Sequence, residues 1–287
     1  MKKIMILGSA GMLGHMVYIY LRSLNKYEII DSSFPNRLNR DSKILDVTNV
    51  KKLENFISVE KPDIVVNCIG ILIKDSISFP SNAIYLNAYF PHQLVKILKG
   101  KGGKLIHIST DCVFSGKKGA YTEDDYRDAD DIYGRSKALG EIMYGGNVTL
   151  RTSIIGPELK KMGEGLFHWF MQQNGTINGF SNVFWGGITT LELAKAIDST
   201  IEQDISGLIH ITNKERISKY DLLVLIKHIF CIKTVQIDRF EGKIVDKSLK
   251  SNRNDFKYKV TSYKKMISEL KSFMEENRVL YSRIYDI

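Results

Sequence analysis

Long apolar runs are absent from this 287-residue sequence. No stretch approaches the roughly 20 consecutive apolar residues that a membrane-spanning helix requires, so we expect no membrane association. The N-terminal apolar run covers only residues 4–7 before Gly8, which is too short for the apolar core of a secretory signal. We therefore predict a first β-strand here and a cytoplasmic protein.

Cysteine is scarce. The three cysteines, Cys68, Cys112 and Cys231, lie far apart and form no C-x-x-C spacing. A scattered, odd-numbered set indicates reduced thiols of a cytosolic protein rather than a disulfide framework. The six histidines are also dispersed and form no cluster with cysteine, so we predict no metal site.

Nucleic-acid-binding motifs are missing as well, although the formal net charge is +9. Much of the basic excess lies in the last third of the chain, at Lys243, Lys247, Lys250, Arg253, Lys257, Lys259, Lys264 and Lys265. Acidic residues alternate with these, which is typical of a solvated surface, and we predict no nucleic-acid partner. The same charge would attract a small anionic substrate.

Apolar segments alternate with amphipathic ones through the first half of the chain. The pattern predicts strands at residues 3–7, 27–30, 64–69, 105–109 and 148–155, and helices that begin at residue 13 and cover 83–98 and 133–144. Strands that are continuously apolar are typical of a parallel sheet covered by helices on both faces. We predict an α/β protein with a doubly wound parallel sheet.

A glycine-rich turn joins the first predicted strand to the first helix. Gly8, Gly11 and Gly14 have the spacing G-x-x-G-x-x-G, and Met12 and Leu13 lie within the turn. The glycines permit a tight turn, close approach of a pyrophosphate and close packing of helix on strand. The helix N-terminus then offers free N–H groups to an anion. The strand–turn–helix context predicts a dinucleotide-binding loop; a merely flexible turn is the alternative.

The periodicity becomes weaker after residue 156. Helices are predicted at residues 191–202, 220–230 and 263–276, and no repeat or low-complexity linker separates the two halves. We therefore predict a Rossmann-type NAD(P)-binding domain at residues 1–156. Residues 157–287 would form a smaller substrate-binding lobe, with some segments returning to the first domain.

The ribose-binding position falls near the end of the second strand. Asp31 is the nearest acid, and Ser32 or Ser33 takes its place if the strand continues beyond residue 30. Arg37 and Arg40 follow and could accept a 2′-phosphate, which favours NADP(H) over NAD(H). Arginines on the surface are an equally good interpretation, so the preference stays open.

Tyr133 and Lys137 lie four residues apart, on one face of a predicted helix. A phenol with an ordinary pKa of ~10 exchanges protons poorly at neutral pH, and a nearby ammonium would lower that pKa. The same spacing arises often by chance on protein surfaces. Its position favours catalysis, because the strand before this helix ends at Thr110, on the edge of the sheet where open α/β folds bind ligands.

Several segments together resemble the extended short-chain dehydrogenase/reductases, and among them the dTDP-4-dehydrorhamnose reductases and related nucleotide-sugar 4-ketoreductases. These segments are GSAGMLGH, NCIGI, ISTDCVFSGKKGAYTEDD, YGRSKALGE and LRTSIIGPE. The resemblance covers residues 1 to about 156 and is weaker beyond. It implies a cytoplasmic reductase that transfers hydride from NAD(P)H to the C4 ketone of a nucleotide-linked 4-keto-6-deoxy sugar, in surface polysaccharide synthesis.

The resemblance also implies roles for residues at matching positions. Thr110 would polarise the substrate carbonyl, Tyr133 would protonate the developing alkoxide, and Lys137 would bind the nicotinamide ribose. The implied cofactor contacts are Gly8, Gly11, Met12, Leu13, Gly14, Asp46, Val47, Cys68, Gly70, Asn87, Tyr133 and Lys137. The implied substrate contacts are Thr110, Asp111, Cys112, Val113 and Trp185.

Simpler roles compete with some of these assignments. Asp46 could only shape the turn before Thr48, Asn87 could be a buried structural amide, and Trp185 could belong to the core. Cys112 replaces a tyrosine of many rhamnose-pathway reductases, and residues 179–187 differ from the usual substrate loop, so the sugar pocket is expected to differ.

Two other functions fit the same resemblance. A nucleotide-sugar epimerase uses the same fold and cofactor, whereas a dehydratase is disfavoured because Thr110-Asp111-Cys112 lacks the glutamate of its Thr-Asp-Glu motif. A non-catalytic Rossmann regulatory subunit, like the β subunit of methionine adenosyltransferase, is the second alternative. The sequence leaves the oligomeric state open, with a homodimer as one option.

Overall fold

A computed structural model describes residues 1–286. Its strands are β1 (Lys2–Leu7), β2 (Tyr27–Ser33), β3 (Lys43–Ile44), β4 (Ile64–Asn67), β5 (Lys104–Thr110), β6 (Val148–Thr152), β7 (Ile154–Ile155), β8 (Gly175–Phe180), β9 (Val183–Trp185), β10 (Ile188–Thr189), β11 (Gly207–His210), β12 (Ile217–Ser218), β13 (Val235–Phe240) and β14 (Val245–Asp246).

The α-helices are α1 (Gly14–Ser23), α2 (Val50–Glu60), α3 (Ile73–Ser78), α4 (Pro80–Ala83), α5 (Phe90–Lys99), α6 (Ile132–Leu139), α7 (Leu166–Met171), α8 (Thr190–Glu202), α9 (Lys219–Ile229), α10 (Tyr263–Glu276) and α11 (Arg278–Tyr281). A π-helical turn (Ile84–Tyr89) joins α4 to α5. No helix within the described residues is both long and apolar enough to cross a membrane.

Seven parallel strands form the central sheet in the order β11-β6-β5-β4-β1-β2-β3. Alternate side chains of β1 enter two hydrophobic clusters: Ile4 and Ile6 pack with α1 and α8, whereas Met5 and Leu7 pack with α2 and α5. All four residues are fully buried because helices cover both faces of the sheet. The predicted Rossmann-type α/β fold is therefore confirmed.

The second half of the chain is divided between the central sheet and a smaller lobe. Strand β11 pairs with β6 in the main sheet, and α8 packs on α1. Small sheets formed by β12-β9-β14 and by β13-β8 belong to the lobe, together with α9. A boundary at residue 156 remains a prediction, although residues 207–210 do return to the first domain.

Some predicted elements end at other residues in the structure. Strand β2 continues to Ser33, and the strand predicted at 148–155 is interrupted at Ser153, after which β7 pairs with β10. The helix predicted at 133–144 ends at Leu139. A β-carbon at the following residue, Gly140, would lie 1.9 Å from the Asn87 carbonyl oxygen, so the chain turns there against the π-helical turn.

Candidate active site

A cavity of about 480 Å³ opens at the carboxyl ends of β1, β4 and β5. The chain order reverses between β1 and β4, and ligands of open α/β sheets bind at such a switch point. The lining comes from the glycine-rich turn, the segment after β4, the end of β5, the start of α6 and the segment after β6: residues 10–13, 67–73, 75, 108–112, 133, 137, 152–154, 158–160, 162, 164 and 165.

The glycine-rich turn is closed by its own backbone. The amides of Gly8 and Ser9 donate to the Ser32 carbonyl at 2.8 and 3.0 Å, and Gly8 has a φ of +84°. A β-carbon at Gly14 would lie 2.1 Å from the Gly8 carbonyl oxygen, so no larger residue fits. This compact turn at the N-terminus of α1 has the shape and free amides that a dinucleotide pyrophosphate requires.

A buried histidine supports this turn from below. His15 is fully buried, and its Nδ1 lies 2.8 Å from the Gly11 carbonyl oxygen, which can only accept. Burial lowers the pKa of His15 to about 4, so the ring is neutral near pH 7. Nδ1 therefore carries the proton, and Nε2 accepts from the Tyr281 hydroxyl at 2.9 Å. The C-terminal helix α11 thus reaches the glycine-rich turn.

A second C-terminal tyrosine supports the loop on the other side of the cavity. The Tyr285 hydroxyl accepts from the Glu158 amide at 2.7 Å and lies 2.8 Å from His168 Nδ1. The Glu158 carboxylate in turn accepts from the Gly165 amide at 2.6 Å. This contact fixes residues 158–165, which the sequence analysis did not assign to the site because loops carry no periodicity.

Asp31, the acid nearest the predicted ribose-binding position, does not lie at the end of β2. Asp31 lies inside the strand, is 5% exposed and accepts from Ser9 Oγ at 2.5 Å. Ser33 is the last residue of β2, and its hydroxyl donates to the Asn36 carbonyl. Arg37 is exposed beyond this strand end, with Nη1 3.2 Å from the carbonyl oxygen of the next arginine, Arg40.

Two predicted cofactor contacts have structural roles outside the cavity lining. The Asp46 carboxylate accepts from the Thr48 amide at 2.9 Å and the Thr48 hydroxyl at 2.7 Å, so it shapes a turn. Val47 is buried in the cluster beneath α2 and α5. The competing turn interpretation of Asp46 is the one that the geometry favours.

The segment after β4 contains two predicted cofactor contacts that do line the cavity. Cys68 and Gly70 line the cavity, and burial raises the pKa of the Cys68 thiol to about 12. Asn87 is fully buried and exchanges hydrogen bonds of 2.9 and 3.0 Å with the backbone of Ile71. Its amide also donates to Ser136 Oγ at 3.2 Å. Asn87 therefore ties this segment to α6 without lining the cavity.

Thr110, Tyr133 and Lys137 meet at the cavity as predicted. Thr110 ends β5, and Asp131 caps α6 by accepting from the Gly134 amide at 2.8 Å, which places Tyr133 in the first turn of that helix. All three residues line the cavity. Burial raises the pKa of Tyr133 well above its ordinary value, and the Thr110 hydroxyl partly opposes this.

The expected effect of Lys137 on the phenol is wrong for this structure. Lys137 Nζ donates to the Ile108 carbonyl at 2.7 Å, and burial lowers the pKa of Lys137 to about 8. The pKa of Tyr133 is raised rather than lowered, because burial of the phenol, together with Cys112, Asp111 and Asp131, outweighs the hydrogen bond with Thr110. Tyr133 thus holds its proton firmly at neutral pH.

The predicted substrate contacts are divided between cavity and core. Asp111 and Cys112 line the cavity, but Val113 is fully buried in a small cluster with Phe114. Trp185 is 2% exposed, does not line the cavity and packs at 5.8 Å from the ring of Tyr263. These two side chains are core residues because their strand or turn directs them inward, which the sequence pattern does not reveal.

The fold and the cavity together are those of the extended short-chain dehydrogenase/reductases. The sequence profile of the family described as RmlD substrate binding domain matches residues 1–241, and the chain belongs to this family. No group of His, Cys, Asp or Glu in the part of the chain that the structure describes could hold a metal ion.

Solved structures and curated proteins similar to the chain include dTDP-4-dehydrorhamnose reductases and a subunit of methionine adenosyltransferase. dTDP-4-dehydrorhamnose reductase from Bacillus anthracis, in complex with NADP, superimposes with a TM-score of 0.81 at 21% identity, over 96% of this chain and 100% of that one. A hypothetical dTDP-4-dehydrorhamnose reductase from Sulfolobus tokodaii gives 0.74 at 27% identity, over 87% and 92%. Methionine adenosyltransferase 2 subunit beta from Xenopus tropicalis is 24% identical over 77% of this chain and 70% of that protein.

Proposed function

We propose that this protein reduces the C4 ketone of a nucleotide-linked 4-keto-6-deoxy sugar for surface polysaccharide synthesis in the cytoplasm. The observation that carries the proposal is the meeting of Thr110, Tyr133 and Lys137 with the glycine-rich turn at one cavity. Family membership and the similarity to dTDP-4-dehydrorhamnose reductases support it. A regulatory subunit needs no such set of proton donors beside a dinucleotide loop.

The site residues divide the chemical work between them. A bound nicotinamide dinucleotide would supply the hydride, and the glycine-rich turn would hold its pyrophosphate. Thr110 orients the ketone oxygen, and Tyr133, protonated because its pKa is raised, donates a proton to that oxygen as negative charge develops. Lys137, which lines the same cavity and is held by the Ile108 carbonyl, would bind the ribose of the nicotinamide. We propose NADP(H) as the preferred cofactor, because Arg37 and Arg40 follow the end of β2.

Substitution of Tyr133 by phenylalanine tests the catalytic part of this proposal. Reduction would be followed as oxidation of NADPH and NADH with dTDP-, UDP- and GDP-linked 4-keto-6-deoxyhexoses. We expect turnover by Tyr133→Phe to fall by about 10²- to 10⁴-fold, the usual contribution of a positioned proton donor, with dinucleotide affinity retained. Tyr144→Phe is the matched control, because Tyr144 is exposed and contacts His92. Undiminished turnover by Tyr133→Phe would refute the role.

A regulatory subunit is the second candidate, because several curated relatives are named methionine adenosyltransferase 2 subunit beta. Such a protein would bind dinucleotide, reduce none of the sugars and associate with a methionine adenosyltransferase. Co-purification with that enzyme, together with no turnover by the wild type, would favour this candidate. We propose a nucleotide-sugar as the partner of the reductase, with no nucleic acid, and a homodimer as the assembly to be checked by light scattering.

A further inference from the structure

The loop of residues 158–165, which joins β7 to α7, forms one wall of the cavity. We refer to it as the β7–α7 loop. Leu159, Lys160 and Met162 line the cavity from this loop, and the side chains of Lys160 and Met162 are exposed. A ligand in the cavity can therefore contact these side chains directly.

The other side of the β7–α7 loop is held by His168 and Tyr285, which are both 3% exposed. His168 Nε2 donates to the Lys161 carbonyl at 3.2 Å, and its Nδ1 lies 2.8 Å from the Tyr285 hydroxyl. The same hydroxyl accepts from the Glu158 amide at 2.7 Å. One phenol oxygen thus holds the start of the loop directly and its middle through the histidine.

The β7–α7 loop packs closely on this support. A β-carbon at Gly163 would lie 2.7 Å from both Glu158 Cδ and His168 Cγ, so no space separates the loop from the buried side chains. A β-carbon at Gly165 would lie 3.2 Å from Met12 Sδ, so the loop ends against the glycine-rich turn. Closely packed interiors transmit a change in one side chain to its neighbours. Loss of one support should therefore alter the shape of the wall.

The position of the loop indicates which ligand it meets. In the proposed reaction, the dinucleotide pyrophosphate occupies the glycine-rich turn and the ketone lies at Thr110 and Tyr133. The rest of the nucleotide-sugar must then extend into the remaining part of the same cavity. Two lysines are among the described residues that line it, and Lys137 is engaged by the Ile108 carbonyl. Lys160 is therefore the cation placed to meet the substrate phosphates.

We infer that the β7–α7 loop is the wall that binds the nucleotide-sugar, with Lys160 at its phosphates, and that Tyr285 is the positioning residue of this wall. The inference rests on the proposed function, since it assigns the substrate of that reaction to the loop. Tyr281 holds the glycine-rich turn through His15, whereas Tyr285 holds the loop through His168. Two neighbouring tyrosines thus divide the support of the cavity between dinucleotide and sugar.

Tyr285→Phe tests the positioning role. The variant removes the hydroxyl and keeps the ring beside Phe167, 5.9 Å away. At saturating NADPH, we expect the KM of the best 4-keto-6-deoxy sugar to rise by about 10-fold, the usual effect of a lost hydrogen bond, with kcat and the Kd of NADPH nearly unchanged. Tyr281→Phe is the reciprocal variant, since it should weaken NADPH binding and leave the KM of the sugar at its wild-type value.

Lys160→Met tests the ligand side of the wall without changing its support. UDP, dTDP and GDP would be titrated calorimetrically into protein saturated with NADPH, so that the glycine-rich turn is already filled. We expect the variant to weaken the best nucleoside diphosphate by about 10- to 100-fold, as for hydrogen bonds to charged groups. Lys161→Met is the matched control, because Lys161 is exposed, is not among the residues that line the cavity and supports the loop only through its main-chain carbonyl.

Three results would overturn the inference. A fall in kcat of Tyr285→Phe with an unchanged KM would mean that this tyrosine serves only the fold. Weaker NADPH binding by Tyr285→Phe, again with an unchanged KM, would assign the loop to the dinucleotide. Equal affinity of Lys160→Met and the wild type for nucleoside diphosphates would remove the phosphate contact.

Failure of the inference can be separated from failure of the proposed function. Turnover lost in Tyr133→Phe, with wild-type KM in both Tyr285→Phe and Lys160→Met, would overturn the substrate wall and leave the reductase intact. Binding of a nucleoside diphosphate that depends on Lys160 and Tyr285, without reduction of any sugar by the wild type, would support the wall and refute the reductase. No binding of any nucleoside diphosphate by the wild type would overturn the wall.

Discussion

Glu141 is the residue whose replacement should damage this fold most clearly. It follows α6 by two residues, and its carboxylate is fully buried. Arg151 donates to it at 2.7 and 2.6 Å, Arg127 at 2.9 Å and Ser109 at 2.7 Å. Because Ser109 precedes Thr110 on β5, this carboxylate joins the helix that carries Tyr133 to the strand that carries the threonine.

Replacement of Glu141 by leucine leaves the Arg151 guanidinium buried without its partner. Breaking a buried pair in this way costs about 3–5 kcal/mol. For 287 residues, an unfolding entropy of about 2.1 cal/mol/K per residue converts that cost to a fall in Tm of roughly 5–8 °C. Differential scanning calorimetry at pH 7 measures it. The control is Glu202→Gln, which breaks an exposed pair with Lys26 and should cost no more than about 1 kcal/mol.

The double variant Glu141→Leu/Arg151→Met separates the charge from the packing. Two apolar side chains of similar volume remove the uncompensated charge, so most of the lost stability should return. The pKa of Glu141 lies below its ordinary value because Arg151, Ser109 and Arg127 outweigh burial. The stability that the Glu141 carboxylate contributes is therefore complete above the pKa of the unfolded chain, ~4.3, and is lost as the pH falls through the lower pKa of the folded protein. A double variant no more stable than Glu141→Leu would refute this reasoning.

Further predictions concern the cavity. Burial lowers the pKa of Lys137 from 10.5 to about 8, so between these two pH values the unfolded chain binds more protons than the folded chain. The Tm of the wild type should therefore rise relative to that of Lys137→Met as the pH increases through this interval. A Tm difference that does not change with pH would contradict this. Tyr281→Phe leaves His15 Nε2 buried without a donor, which should cost about 1–3 kcal/mol in denaturant unfolding and weaken NADPH binding. Gly14→Ala should abolish NADPH binding measured by fluorescence, because its β-carbon would collide with Gly8; retained affinity would show that the turn can rearrange.

Short-range sequence patterns predicted which residues form the central part of the site. Glycine spacing between a strand and a helix located the turn at Gly8, and the four-residue spacing placed Tyr133 and Lys137 on one face of α6. These predictions succeed because they depend on backbone geometry within a few residues. The glycine that stops α6 was not recognised, because the obstruction comes from Asn87, more than 50 residues away in sequence.

Other features depend on packing between distant segments. Val113 and Trp185 were predicted at the substrate, but the direction of each side chain is set by tertiary packing that the sequence does not encode locally. The pKa of Tyr133 was expected to fall because spacing reveals the neighbouring charge but not the depth of burial.

The contact between His15 and Tyr281 joins residues 266 positions apart. A ribosome makes the glycine-rich turn early and this tyrosine hundreds of residues later, so the turn has no support beneath it for most of synthesis. A nascent chain that stops before Tyr281 and Tyr285 should be unable to retain dinucleotide. Cofactor capture would then report that translation has passed those tyrosines.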